Sequence, residues 1–572
     1  MKNKNPNTNS KRIIRVLLTA AVLLLLCGAF CGAAAAAAEA ADGAKPAVAA
    51  LEDGIPQTGT YKLTADVTLT TNNLTISDGV DCTIDLNGFV LKGNGQGSVI
   101  TIEGTGALTI TDSDPGKEHR FSVDSAGVWT LDPNGDKVVK GGVITGGAAE
   151  SGGAVLLKGS TSELTLNGGT IVGNKSSASG GGIYCNDESS EITIDGGNII
   201  GNVSGTSGSG AGGAIYTKGA VVLKNGTISY NKSGTNGGGI YLSTGGSLVM
   251  ENGSITDNIS GRNGGGVAVF SRELSPGFVM NGGEISNNTV SGCNTVSGLV
   301  NCGGGVAVYD NSTFIMNGGT IKDNKALDGA NGGGVGVEYS DGAGTFFLNG
   351  GTITGNCAEG SGSGIYIGTN GCTLVVSGSP YVKSNVNPDG SWNNIQAAAP
   401  ENIILAGKLD DAALLYVSDE NEGGDYVFAV VNEDYASAAT AEELAADSSR
   451  FRFEADGAPG FATISGRFLR WGTVYTVSFD TQGYGTPAPA DQRIHQNGRA
   501  AEPAVTEPGR TVSGWYSDET FTAKWDFDKD RVASDMTLYA KWESTPATSP
   551  GFGILAVLAG LGAAAVLLRR RQ

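Results

Sequence analysis

The sequence predicts an all-β protein built on a parallel β-helix, and three observations carry that reading: a repeated phrase, apolar alternation inside it, and glycine at its corners. Eight times between Gly152 and Asn385 the chain runs through a small-Gly cluster, an alternating apolar stretch and an NGG-like turn. Each phrase then closes on a branched apolar residue with Asn three positions later. The clearest copies are GGGVAVYDNSTFIMNGGTIKDN (Gly303–Asn324) and GGGIYLSTGGSLVMENGSITDN (Gly237–Asn258). The branched residues Ile171, Ile199, Ile228, Ile255, Ile285, Ile321, Ile353 and Val382 are spaced by 28, 29, 27, 30, 36, 32 and 29 residues. A period of this size marks a solenoid, whose coils bury their apolar faces only against their neighbours. Gly, at 92 of 572 residues, is placed periodically beside 40 % apolar residues, which argues for turns and against disorder.

Taken in order, the N-terminus shows Lys11, Arg12 and Arg15, an apolar run Val16–Phe30 and the small-residue tract Gly32–Ala38. That is the layout of a secretory signal peptide over residues 1–40. A lipoprotein reading through Cys31 is disfavoured by Phe30 before it. Residues 41–58 read as a linker. From 59 to 145, TYKLTADVTLT, DCTIDLNGFVLKGN and GALTITDSD alternate as half-buried strands do, so they read as worn first coils. Asn87-Gly88 and Asn94 look like a worn copy of the motif, and an insertion is expected around 115–138.

Within the regular coils, alternation separates inside from outside. Cys185, Thr217, Leu242, Val269, Val308, Val337 and Ile367 share one inward position; Tyr184, Tyr216, Tyr241, Ala268, Ala307, Gly336 and Tyr366 share one outward position. Three short parallel strands per coil, closed by Gly corners, describe a right-handed parallel β-helix over 59–385. Ten to twelve coils would extend roughly 50–60 Å. The repeated Asn174, Asn202, Asn231, Asn258, Asn288, Asn324, Asn356 and Asn385 are expected to stack as a structural ladder of amides at a tight bend. Several sit in or beside Asn-x-Ser/Thr sequons, but an inward ladder leaves no room for a glycan, so Asn73 and Asn311 are the better acceptors. Residues 386–471 alternate without the phrase and contain a helical stretch near Ala439–Asp447; they are expected to continue and cap the open end.

Residues 474–542 form a separate module. VYTVSFDTQGYGTPAP, the GWYSD turn at Trp515, WDFD at Trp525 and TLYAKW ending at Trp542 resemble the internalin-type B repeat, a small β-grasp-like domain. Val512 departs from that pattern, which usually has a larger residue before the Gly-Trp. The resemblance implies a spacer or adhesive module whose aromatic residues form its core. A tether, 543–550, leads to an apolar run, Gly551–Leu568, closed by Arg569, Arg570 and Arg571. Eighteen helical residues span about 27 Å, barely the thickness of a bilayer core, with the Arg cluster then on the cytoplasmic side. Pro550, Gly551 and Phe552 with this span resemble the PGF-CTERM sorting signal of archaeal surface proteins. That resemblance implies an archaeosortase-like enzyme that replaces the helix by a lipid anchor; a plain membrane helix over 551–572 is the alternative.

A net charge of −20 leaves no basic stripe for phosphates and excludes nucleic acid as a partner. Parallel β-helices of the pectin-lyase-like kind often cleave glycans, but fold alone does not carry that chemistry. Arg262 and Arg272 are the only Arg between 146 and 385, the chain has two His (His119 and His495), and the adjacent pair Asp410-Asp411 lies beyond the repeats. No catalytic constellation, metal site or cofactor is therefore expected. Asp257 and Asp323 read as a solvated turn face. Cys293 and Cys302, both in the 36-residue spacing, are a candidate disulfide, Cys357 and Cys372 a weaker pair, and Cys185 a small buried apolar group. Tyr184, Tyr216 and Tyr241 form a candidate sugar-stacking strip, with a structural stack the favoured reading. The expected function is that of an exported, C-terminally membrane-anchored structural or adhesin-like protein with an unidentified glycan or protein ligand. The alternative is a surface polysaccharide lyase or glycoside hydrolase, and a third reading is a component of the envelope lattice.

Overall fold

The structure, a computed structural model, describes residues 49–50 and 57–544, without 71–72, 206–208, 273–275, 292–302, 419–426, 456–457, 472–473, 487 and 496–498. The predicted signal segment and the C-terminal tail lie outside the described residues. The chain divides into two compact units, one ending at Thr473 and one beginning at Val474.

The first unit is a parallel β-solenoid of about eleven coils. Its first sheet has 11 strands, one per coil, from Leu74–Ile76 to Ile395–Ala397. They stay in register across unequal repeats: Ile183 pairs with Ile215, then Ile240, Val267, Val306, Val335 and Ile365. The 36-residue spacing does not disturb this: Ile285 still pairs with Ile321, and Val267 with Val306. A second, 25-stranded sheet takes the next part of each coil and bends at the Asn-Gly turn, either as two strands (Ser247–Met250 and Ser254–Thr256) or as one, Thr345–Thr354. A third sheet of eight two-residue strands, Ala148–Ala149 to Cys357–Ala358, follows the repeated Asn. The second and third predicted strands thus belong to one bent sheet, and the two-residue strands come as an addition that no apolar run announces.

Inward residues make one continuous core. Ile183, Ile192 and Ile199 of one coil and Ile215, Val221 and Ile228 of the next are at most 1 % exposed. Each such side chain contributes about 1.5–3 kcal/mol by leaving water. Phe278, Phe314 and Phe346 stack inside the core with centroids 4.5 and 4.7 Å apart.

The early insertion is a three-stranded antiparallel flap, Glu118–Val123, Trp129–Leu131 and Lys137–Lys140. Its Phe121, Trp129 and Val139 cover the outward residues Val90, Val143 and Val172 and pack on Ile200, a small second core outside the solenoid. In the following coils the position of Val172 and Ile200 turns polar, as Ser229 and then Thr256. The apolar outer patch therefore ends at Ile200, while the flap reaches one coil further through Tyr230 and Lys232.

Past Asn385, Ile403–Leu409 and Leu414–Tyr416 continue the bent sheet, and Ala458–Ser465 and Phe468–Trp471 close it with antiparallel pairing. Two helices sit here. Ala441–Ser448 starts on a capping box between Thr440 and Glu443, and Glu433–Ala438 starts on Asn432, whose side chain accepts from two backbone amides. The sequence reading had only the first of them.

The second unit is a four-stranded sheet in the order Gln492–His495, Val474–Asp480, Met536–Ser544, Arg510–Tyr516, its central pair parallel and its outer pairs antiparallel. Trp515 is 1 % exposed and meets Phe479 edge-on at 5.2 Å. The Trp542 indole donates to Thr481 O at 2.9 Å.

Candidate functional site

The repeated Asn lie on the solenoid's inside, and all eight are fully buried. Asn258 shows the pattern. Its Oδ1 accepts from the backbone N and the Nδ2 of Asn231, both at 3.0 Å. Its Nδ2 donates to Ile228 O and to Asn288 Oδ1, both at 2.9 Å. The same bonds recur from Asn174 to Asn385, so every amide is satisfied by the coils on either side. Asn394 closes the ladder by accepting from Asn385 N and Nδ2. The sequence reading missed it because it follows Asn385 by nine residues, outside the phrase. At the other end Gly147 donates to Asn174 Oδ1, while Asn94, taken from sequence as a worn copy, is exposed.

The residue before each ladder Asn adopts the left-handed conformation: Gly173, Gly201, Tyr230, Asp257, Asn287, Asp323, Gly355 and Ser384 have φ between 55° and 68°. Gly, Asn and Asp are at ease there, whereas an aromatic residue is not. Tyr230 and Ser384 depart from that set, and the Tyr230 ring packs on Trp129 of the flap at 5.8 Å. Gly201 lies under the same indole, where an added Cβ would come within 2.4 Å of the ring. Asp257 and Asp323 hold this turn position.

Outside the first sheet, Tyr184, Tyr216 and Tyr241 are brought together, with centroids 4.8 and 5.3 Å apart. The row continues beyond them. The next coils place Ala268 and Ala307 at the same strand position, and the ring comes instead from Phe270 and Tyr309, two residues on. Tyr241–Phe270 and Phe270–Tyr309 distances are 6.2 and 5.0 Å. Tyr184 and Tyr216 are nearly parallel (17°), so these rings turn their faces to each other and their edges outward. Tyr241 is 9 % exposed, and its burial, with Tyr216 alongside, raises its phenol pKa. The small-then-aromatic spacing was the signal for Phe270 and Tyr309.

Charged groups gather where the first sheet's strands end. The Arg272 guanidinium lies 4.4 Å over the Phe270 ring and donates from Nε (3.1 Å) and a terminal N (2.8 Å) to Asp310, whose side chain is 1 % exposed. Asp341 adds a carboxylate at 3.9 Å. The hydrogen bond from Arg272 to Asp310 raises the Arg pKa further. In the coil after Tyr309, Glu338 is pushed up to about 7 by burial, offset in part by hydrogen bonds from the Asn331 side chain and the Tyr339 amide.

Of the other sequence-singled residues, Cys357 and Cys372 are separate thiols, so that pairing is corrected; Cys372 lies in the core and Cys357 stands half-exposed on the third sheet. Cys185 is a buried free thiol in the core. Cys293, Cys302, Pro550, Gly551 and Phe552 lie outside the described residues. Asn73 and Asn311 are both half-buried. His119 is buried in the flap, its Nε2 2.9 Å from Gly88 O. Among the described residues, no three His, Cys, Asp or Glu converge as a metal site, and no helix is long and apolar enough to cross a membrane.

Comparison with known proteins adds two findings. Residues 475–541 match the Listeria-Bacteroides repeat domain family. A protein of Evansella cellulosilytica, named by inference as a Gly-rich membrane protein, is 29 % identical over 170 residues, which is 27 % of this chain and 19 % of that protein. A second from the same organism, named by inference as a membrane protein, is 38 % identical over 77 residues, 13 % of this chain and 11 % of that protein. The chain therefore spans about a fifth or less of the length of these relatives. No solved structure matches.

Proposed function

We propose that this is a non-catalytic cell-surface protein whose solenoid, right-handed by the rule for parallel crossovers, is a stiff spacer or adhesin-like rod, held at the envelope by its C-terminus. The observation that carries the reading is the saturated Asn ladder: a continuous buried column of amides makes the coil stack rigid and leaves the outer faces free to vary. The Listeria-Bacteroides repeat, the signal-like N-terminus, the apolar tail and relatives named as membrane proteins support export and anchoring. The PGF-CTERM-like tripeptide Pro550-Gly551-Phe552 makes cleavage and lipid attachment the specific form of anchoring we favour. Cell fractionation with mass spectrometry of the mature termini tests this. Recovery in the envelope with the first 40 or so residues removed is expected, and a cytosolic full-length chain would overturn it.

A second reading, a polysaccharide lyase or glycoside hydrolase, rests on one corner, where Arg272, Asp310, Asp341 and Glu338 follow the first sheet in neighbouring coils. Release of reducing ends or unsaturated products from acidic polysaccharides, lost on Arg272→Ala, would establish that reading in place of the first.

A further inference from the structure

Glu338 is the odd member of the outer row. Phe270 and Tyr309 each stand two residues after a small one, Ala268 and Ala307, and supply the ring which that position lacks. In the following coil the small residue is Gly336, and the side chain two residues on is the carboxyl of Glu338. That carboxyl reaches back along its own coil to the Asn331 side chain. On its other side it presses on the next coil, where a Cβ at Gly368 would come within 2.5 Å of Oε2. Its Oε1 is buried without a hydrogen-bond partner. A carboxylate in such a place has only the Asn331 side chain and the Tyr339 amide to make up for lost hydration, with Oε1 left over, whereas a protonated carboxyl can supply its own donor.

We propose that Glu338 is a proton-sensitive lock: as the neutral acid it completes the outer row and holds the corner 338–344 to the coils on either side, and on ionisation it loosens that corner. The groups facing it are few. Its own coil offers Asn331 and the Tyr339 amide, with Asp341 further along. The preceding coil brings Tyr309 and Asp310, the latter already held by Arg272. The following coil brings Gly368 and Cys372, whose thiol burial pushes up to about 12, so it stays neutral across the range that matters. No cation is within 4.0 Å of Glu338 among the described ion pairs.

The sign follows from linkage. A carboxyl with its folded pKa raised from about 4.5 to about 7 favours the folded chain least when ionised. Stability therefore falls as pH rises from about 5 and levels off above about 7. For that pair of values the unfolding equilibrium constant rises roughly seventyfold between pH 5 and pH 8. The test is urea unfolding of the full chain at pH 5 and pH 8, together with hydrogen exchange at 338–344. The wild type is expected to lose stability and corner protection towards pH 8, and Glu338→Gln, which leaves Arg272, Asp310 and Asp341 in place, is expected to remove most of that difference. Equal pH dependence in wild type and Glu338→Gln overturns the proposal. Should the variant fail to fold, infrared titration of the wild type decides: a protonated-carboxyl band disappearing near neutral pH supports the lock, and its complete loss below pH 5 refutes it.

Discussion

Replacing Asn258 by Leu removes one rung of the ladder while keeping the side chain close to its original size. The Asn258 Oδ1 is the acceptor for two buried donors of the coil before, Asn231 N and Nδ2, at 3.0 Å each. Leu offers neither of them a partner, and the fully buried site leaves water no easy entry. Asn231 Nδ2 keeps its bonds to Ile199 O and Ser229 O, so the backbone N–H of Asn231 is the donor left stranded, at about 1–3 kcal/mol. Ile228 O also loses its bond from Asn258 Nδ2, whereas Asn288 Oδ1 keeps its bond from the Asn258 backbone N and is not stranded. The assay is urea unfolding of the full chain followed by far-ultraviolet circular dichroism. The comparison is Asn225→Ala, an exposed Asn in an outer row that bonds only Asp195 and Asn252; it should cost no more than about 0.5 kcal/mol. If Asn258→Leu lowers stability no more than Asn225→Ala does, the ladder is not what holds the coils together.

Other perturbations separate the remaining parts. Gly201→Ala would drive a Cβ into the Trp129 ring and impose a positive φ on alanine, so the flap should lift, with a red shift in Trp emission and little change in the solenoid's unfolding midpoint. Phe314→Ala, at the centre of the inward stack, should cost about 3–5 kcal/mol in urea unfolding, as large-to-small changes in cores do. Changing Tyr184, Tyr216 and Tyr241 together to Ser should lower the unfolding midpoint while leaving glycan-array binding unchanged, because the ring faces are spent on each other; loss of glycan signal in a folded variant would make the row a ligand shelf.

The coil geometry was legible because two independent signals coincide at each repeat. Alternation in IYC, IYT and IYL separates inside from outside, and the Asn three residues past Ile171, Ile199 and Ile228 marks the same bend every time. What escaped had weaker local signatures. Lys175–Ser176 and its neighbours form strands of two residues, too short to alternate. Asn394 joins the ladder from a loop without the phrase. The flap's anchoring depends on a long-range fit of Trp129 over Gly201, which no spacing encodes. Phe270 and Tyr309 lay in plain view, but a ring shifted by two residues appears as part of a row only once Ala268 and Ala307 are stacked beneath it. Glu338 needed the structure entirely, since its significance comes from burial and a missing partner, not from its type. No ligand chemistry was legible, because outside the Tyr184–Tyr216–Tyr241 row the outward residues vary from coil to coil without a motif that specifies it.

The central claim is that unequal repeats stack in strict register, and a spin-label distance tests it most directly. Lys175 and Lys325 are exposed on the third sheet and linked step by step through Val203, Lys232, Ile259 and Thr289. Five steps of about 4.8 Å place them about 24 Å apart although 150 residues separate them in sequence. With both replaced by labelled Cys in a chain whose Cys293, Cys302 and Cys357 are Ser, double electron–electron resonance should give one narrow distribution near that distance. A broad distribution, or one centred beyond about 40 Å, would contradict the stacked solenoid.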